Sequence, residues 1–257
     1  MKTLLCLLAA FLAIASPAAN AADPRDSGPL AIVITYHATP ANRAAFRKAM
    51  EESEAAQFQR WKDEGVLQSA RLLVNRYVDS VGWDAMAILT FARYPDLERW
   101  KAIERTSPAG LSPRALALTS AIETAPGDLM REAGKDAPVS GKGSSVFLII
   151  PYEYLVPVND YLAYLDGYTV PQMDGWMEEG VLARYGIFLA RYPAGRPWQS
   201  LLILEYKDDA ALGARDATTA KVRNRLKDNP KWKAISDAKK NVRNEKAPLI
   251  ADAISAR

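Results

Sequence analysis

The 257-residue chain contains one cysteine, Cys6, and one histidine, His37. Zinc sites and iron–sulfur clusters need several nitrogen or sulfur ligands, so no metal site is expected. Phosphate-cradling glycine loops, a Gly-x-Ser-x-Gly nucleophile turn and EF-hand spacing are also missing, which removes the enzyme classes built on them. Charge of one sign is lacking as well. With 33 basic and 30 acidic side chains the formal net charge is +3, which gives no general attraction for nucleic acid, and no such partner is expected. Nor is there an apolar run of the roughly 20 residues that a membrane span needs. The run from Leu4 to Ala15 is shorter, follows Lys2 and precedes Ala19-Asn20-Ala21, the three parts of a secretory signal peptide. Residues 1–21 are therefore expected to be cleaved after Ala21, leaving a periplasmic or secreted protein with no transmembrane segment. Cleavage would also remove Cys6, so apolar packing alone must hold the fold.

What the chain does have is an internal copy. Trp61-Lys62-Asp63-Glu64-Gly65-Val66-Leu67 returns as Trp176-Met177-Glu178-Glu179-Gly180-Val181-Leu182, a spacing of 115 residues. In the same register Phe46 meets Tyr161, Arg76-Tyr77 meets Arg191-Tyr192, Trp83 meets Trp198 and Leu97 meets Leu212. Such a period is too long for a solenoid repeat and suits a small domain copied whole. The first copy, residues 28–125, reads as a strand at Leu30 to Tyr36 and a helix from about Ala41 to Glu64. Thr39-Pro40 would open that helix and Gly65 would stop it. Strands at Gln68 to Tyr77 and Trp83 to Phe91 follow, then a helix from Asp96.

The second copy, residues 146–257, repeats this order with strands at Val146 to Tyr152, Ala183 to Tyr192 and Trp198 to Tyr206. A helix spans Val158 to Glu179, and a basic helix is expected near the C-terminus. Residues 126–145, rich in Pro, Gly, Ser and charge, read as the linker. Two further apolar-periodic segments, Ala115 to Ile122 and Trp232 to Val242, have no place in this scheme.

A β-α-β-β-α unit covers one sheet face with helices and leaves the other bare, so two copies are expected to face each other. In element order, in duplication and in the repeated Trp-x-x-Glu-Gly-Val-Leu, the chain resembles the dimeric α+β barrel superfamily. Members include antibiotic-biosynthesis monooxygenases, EthD-type and NIPSNAP-type proteins and chlorite dismutases. The fold class so implied is α+β, two ferredoxin-like β-α-β-β-α repeats joined into an intrachain α+β barrel. The resemblance further implies a small-molecule ligand, with oxidation or rearrangement of an aromatic substrate as the enzymatic version, and it is compatible with a homo-oligomer. In chlorite dismutase-like members the axial histidine of the haem belongs to the C-terminal unit. This C-terminal unit has none, so haem and other cofactors are not expected.

Strand alternation sorts side chains between helix-covered and interior faces. Ala70, Leu72 and Val74, with Tyr185, Ile187 and Leu189, are expected under the helices. Ser69, Arg71, Leu73 and Asn75 then line the interior, with Asp84, Met86, Ile88 and Thr90 on the next strand. Their counterparts are Arg184, Gly186, Phe188 and Ala190, and Gln199, Leu201, Ile203 and Glu205. The first strands contribute Val33, Thr35 and His37 against Leu148, Ile150 and Tyr152. An asymmetric ligand must break the symmetry of a duplicated barrel, so the positions that differ are the candidates. His37, near a barrel mouth, is the candidate catalytic residue, a proton-transfer group titrating near neutrality. Arg71, Asn75, Thr90, Tyr152 and Glu205 are candidate ligand-binding residues. Arg71 is expected to meet an anionic ligand or Asp84, and Arg184 to pair with Glu205. The other class of reading is a non-catalytic envelope protein with a closed barrel and a working outer surface. The basic stretch from Lys221 to Lys246 would serve there, although its simplest reading is a solvated helix face.

Overall fold

The computed structural model describes residues 30–79, 82–135 and 145–254. The signal-peptide expectation for residues 1–21 lies outside them, as do positions 136–144 of the expected linker. The strands are β1 (Leu30–Ala38), β2 (Ser69–Asn75), β3 (Ala85–Thr90), β4 (Thr119–Gly134), β5 (Val146–Tyr154), β6 (Leu182–Ala190), β7 (Ser200–Tyr206), β8 (Arg243–Glu245) and β9 (Leu249–Ile254). All pair antiparallel. Eight of them close a ring in the order β1-β3-β2-β9-β5-β7-β6-β4 and back to β1, while β8 extends the end of β5.

Each repeat's long helix is continuous through a π-helical turn, residues 43–63 with Met50–Glu54 and residues 158–178 with Leu165–Thr169. The first helix starts at Arg43, two residues later than expected, because Thr39 closes a turn on Asn42 instead. The repeated heptapeptide explains both helix ends. Gly65 and Gly180 take φ of 67° and 79°, and the N–H groups of Val66 and Val181 reach back to the carbonyls of Trp61 and Trp176 at 2.9 and 3.2 Å. That is the Schellman arrangement, in which glycine adopts the left-handed turn and the flanking Trp and Val supply its apolar contact. Trp61 and Trp176 are buried in the helix-side cores.

The expected linker is corrected. Residues 126–134 belong to β4, which pairs with β1 on one side and β6 on the other. Pro126 is tolerated because it sits where the β6 ladder begins, with only its carbonyl engaged there, by Arg191 N–H at 3.0 Å. Gly127 is needed for close approach, since a Cβ there would lie 2.8 Å from the Leu189 carbonyl. The segment Ala115 to Ile122 becomes a short helix, Pro113–Leu116, and the start of β4. At the C-terminus the basic helix Pro230–Ala238 is followed by β8 and β9, and β9 pairs with both β2 and β5. Each repeat is thus a complete β-α-β-β-α-β unit whose last strand bridges to the other repeat.

Three cores result. Two lie under the helices, one per repeat, and the third fills the barrel with Val33, Leu73, Met86, Ile88, Phe147, Ile149, Phe188, Leu201 and Ile203 among others. The parity expected for β2, β3, β6 and β7 matches these cores. On β5 it does not. Phe147 and Ile149 face the interior while Leu148, Ile150 and Tyr152 face the helices. Register shows why: Val33 pairs with Ile88, and Ile149 with Ile203. The first strands are therefore related by 116 residues, the rest by 115, and one residue of slip exchanges the two faces.

Candidate functional site

The barrel has two mouths separated by the packed interior. One is built from the ends of β1 and β5 and the starts of β3, β4, β7 and β9. Its cavity of about 250 Å³ is walled by Trp83, Met86, Trp198, Leu201 and Leu249, with Thr35, His37, Asp79, Glu123 and Lys246 as polar groups. The other mouth, at the starts of β2 and β6, has about 100 Å³ between Arg71, Thr90, Glu132, Arg184 and Phe188. No single space joins the candidate residues.

His37 lies half-buried in the first mouth, paired with Ala121 through its backbone, and among the described residues its side chain has no hydrogen bond or ion pair. Asn75 is buried at the same end but is committed to structure. Its Nδ2 donates to the Trp83 carbonyl at 3.0 Å and its Oδ1 accepts from Tyr77 N–H at 3.1 Å, so it holds the tryptophan wall of the cavity. Lys246 donates to the Pro197 carbonyl at 3.1 Å across the rim.

Arg71, Thr90 and Glu205 meet at the opposite mouth. Arg71 Nη2 is 3.8 Å from Glu205 Oε2, and its guanidinium lies 5.4 Å from the centre of the Phe147 ring. Thr90 shares a 2.6 Å hydrogen bond with Ser69. Asp84 is not the partner of Arg71, because Arg43 takes it at 2.8 Å while Asp84 Oδ2 also accepts from Ala38 N–H at 2.7 Å. Arg184 forms an ion pair with Glu132 on β4 and is the cross-strand neighbour of Glu205 on β7. Two arginines and two glutamates therefore plug this end.

Tyr152 is excluded from the interior by the slip on β5. It is buried on the helix side, where its hydroxyl donates to Glu245 Oε2 at 3.0 Å and the Arg243 guanidinium stacks 3.8 Å from its ring centre. Burial raises its pKa, and Arg243 opposes that shift. Trp83 and Trp198 line the first cavity, although they are not among the candidate residues above. By strand alternation they belong to the helix-side parity of Ala85 and Leu202, but they precede β3 and β7, where alternation no longer fixes the face, and both pack into the interior core.

Among the described residues no group of three His, Cys, Asp or Glu side chains could hold a metal ion, and no helix is long and apolar enough to cross a membrane. No protein-family model and no curated protein matches the chain. Solved structures do. A candidate monooxygenase from Lactobacillus acidophilus is 14% identical with a TM-score of 0.54, covering 89% of this chain and 96% of its own. Another from Fusobacterium nucleatum is 12% identical at 0.53, covering 89% and 94%. An anthrone oxidase-like protein is 13% identical at 0.53, covering 90% and 93%. These likenesses concern the fold. The chain shares with them a ferredoxin-like α+β barrel fold, here built from two tandem repeats.

Proposed function

We propose that this is an exported barrel protein that binds a small, largely apolar or aromatic molecule at the tryptophan-lined mouth. The cavity between Trp83 and Trp198, with the chain's one histidine at its polar side, carries the reading. At about 250 Å³ it is just below the usual range for drug-sized ligands, which favours a molecule of one or two rings. Two indoles supply flat apolar contact at low entropic cost, and Thr35, His37 and Glu123 supply polarity at one end. The enzymatic version needs no bound cofactor. His37 takes a proton from an acidic O–H or C–H of the ligand, leaving an electron-rich anion open to oxidation by O₂ or to rearrangement. The names of the fold-similar proteins agree with oxidation, and at their low identity they lend it no more than that.

The test uses 1-naphthol as probe, followed by quenching of tryptophan fluorescence. Saturable quenching is expected in the native protein and its loss in Leu249→Trp, which fills the cavity. His37→Gln should retain binding and lose any O₂-dependent turnover. If Leu249→Trp binds 1-naphthol as the native protein does, the mouth is not the site. The packed interior favours the second reading, a non-catalytic envelope protein acting through its outside, and absence of binding by any aromatic probe would leave that one standing.

A further inference from the structure

The basic stretch from Lys221 to Lys246 divides into two groups. Lys221, Arg225 and Lys233 are neutralised by Glu179, Glu178 and Asp237, as on an ordinary solvated helix face. Arg223, Lys239, Lys240 and Arg243 instead converge on one cavity of about 530 Å³, outside the barrel, where the chain passes from the basic helix into β8. Among the described residues none of these four is in an ion pair. Arg223 donates Nε to Gln172 Oε1 at 2.7 Å, and Lys239 donates Nζ to the Ser236 carbonyl at 3.1 Å, both neutral acceptors. Glu245, the one carboxylate in the wall, accepts from Tyr152. Arg43, Arg76, Arg131, Arg184 and Arg191 each meet a carboxylate; Arg99 and Arg196 donate to backbone carbonyls instead, but singly and not around a shared cavity.

Arg243 is also held in place. Its guanidinium lies 3.8 Å from the ring centre of Tyr152 and 5.4 Å from that of Tyr164, and Tyr164 itself stacks between Tyr161 and Tyr168. Its Nη1 is buried beside the Tyr161 hydroxyl. Aromatic faces immobilise a guanidinium and attract it, and Tyr161 offers it one neutral oxygen but no carboxylate. Four cations face the single carboxylate of Glu245 around this cavity, so a net positive charge is left that an entering anion would offset.

We infer that this cavity is an anion site that takes a phosphate-bearing ligand, with Arg243 as its oriented fork and Lys239, Lys240 and Arg223 as supporting charge. A planar guanidinium matches two phosphate oxygens at once, and mobile lysines complete the neutralisation. The cavity has room for more than a bare ion. A phosphate on a soluble molecule and one on a lipid headgroup present the same oxygens. The inference is independent of the barrel mouth.

Calorimetric titration of the full chain with inorganic pyrophosphate tests it, beside cosedimentation with phosphatidylcholine vesicles made with and without phosphatidylglycerol. One saturable site is expected, weakened by added salt and at least about tenfold weaker in Lys239→Gln/Lys240→Gln. Lys227→Gln/Lys231→Gln removes the same charge from the same region outside the cavity and should leave binding unchanged. Both sites are exposed or half-exposed, so folding is not at issue. Cosedimentation only with the anionic vesicles, reversed by pyrophosphate, identifies a lipid headgroup; pyrophosphate binding without cosedimentation identifies a soluble ligand. Absence of saturable binding to either probe overturns the inference. So does binding that the cavity variant leaves intact, or that both double variants weaken equally.

Discussion

Arg71 was expected to be either a ligand anchor or half of an ion pair, and its neighbours decide between the two. Glu205 is 3% exposed, and a buried carboxylate that loses its counter-charge is expensive. Arg71→Ala should therefore lower the free energy of unfolding by about 3 kcal/mol, read by urea denaturation, and leave 1-naphthol binding at the other mouth unchanged. Loss of probe binding at unchanged stability would return Arg71 to the ligand-binding role. The sequence put Arg71 on the interior face correctly, because alternation along β2 is local. It could not choose Glu205 over Asp84, since that choice depends on Arg43 reaching across from the start of its helix. Arg43 binds Asp84 and also the carbonyls of Asn75 and Tyr77 at 2.7 and 2.9 Å. Tyr152 failed for a different reason, a slip of one residue that no single strand reveals.

The helix stops are the most legible elements. Trp, Glu, Gly and Val in fixed order encode a Schellman turn twice, and both copies form it. A Cβ at Gly65 would meet nothing within 4 Å, so Gly65→Ala should cost only the left-handed backbone, roughly 1 kcal/mol in thermal or urea unfolding. Gly180→Ala should cost a similar amount. A much larger loss at either would mean that the glycine serves packing rather than conformation. The fourth strands were hidden. Pro126 and Gly127 gave β4 the composition of a linker, and the short β9 follows Pro248 with little alternation to mark it. The paired π-helical turns carry no local signal either. In the first, Glu54 is buried and accepts hydrogen bonds from Ser112 N–H and Oγ at 3.0 and 2.6 Å, a contact that appears only after folding.

At the scale of the molecule, two related ion pairs tie the repeats together. Arg191 at the end of β6 holds Asp128 on β4 through hydrogen bonds of 2.9 to 3.0 Å. Arg76 at the end of β2 holds Asp252 on β9 at 2.6 Å and also meets Asp209. Each therefore fastens the last strand of one repeat to the other repeat, and the two junctions lie opposite each other in the ring. Asp128 is 4% exposed, so Asp128→Ala should cost about 3 kcal/mol by leaving Arg191 unpaired. Asp252→Ala, with a second acid nearby, should cost less. Their effects should add in the double variant, because the sites share no partner; a double variant no worse than Asp128→Ala would show that the repeats are not closed by these pairs.

Everything set by neighbours in the chain was determined by the sequence itself: the duplication, the order of the first five elements in each copy, the helix stops and the faces of β2, β3, β6 and β7. Periodicity and turn chemistry act over a few residues, so they can be read from a few residues. Only the tertiary structure decided the exchange of β4 and β9, the face of Tyr152, the partners of Arg71 and Arg184, and the gathering of four cations beside Tyr168. Each of those depends on groups far apart in the chain meeting at a few ångströms, and barrel closure is what brings them there.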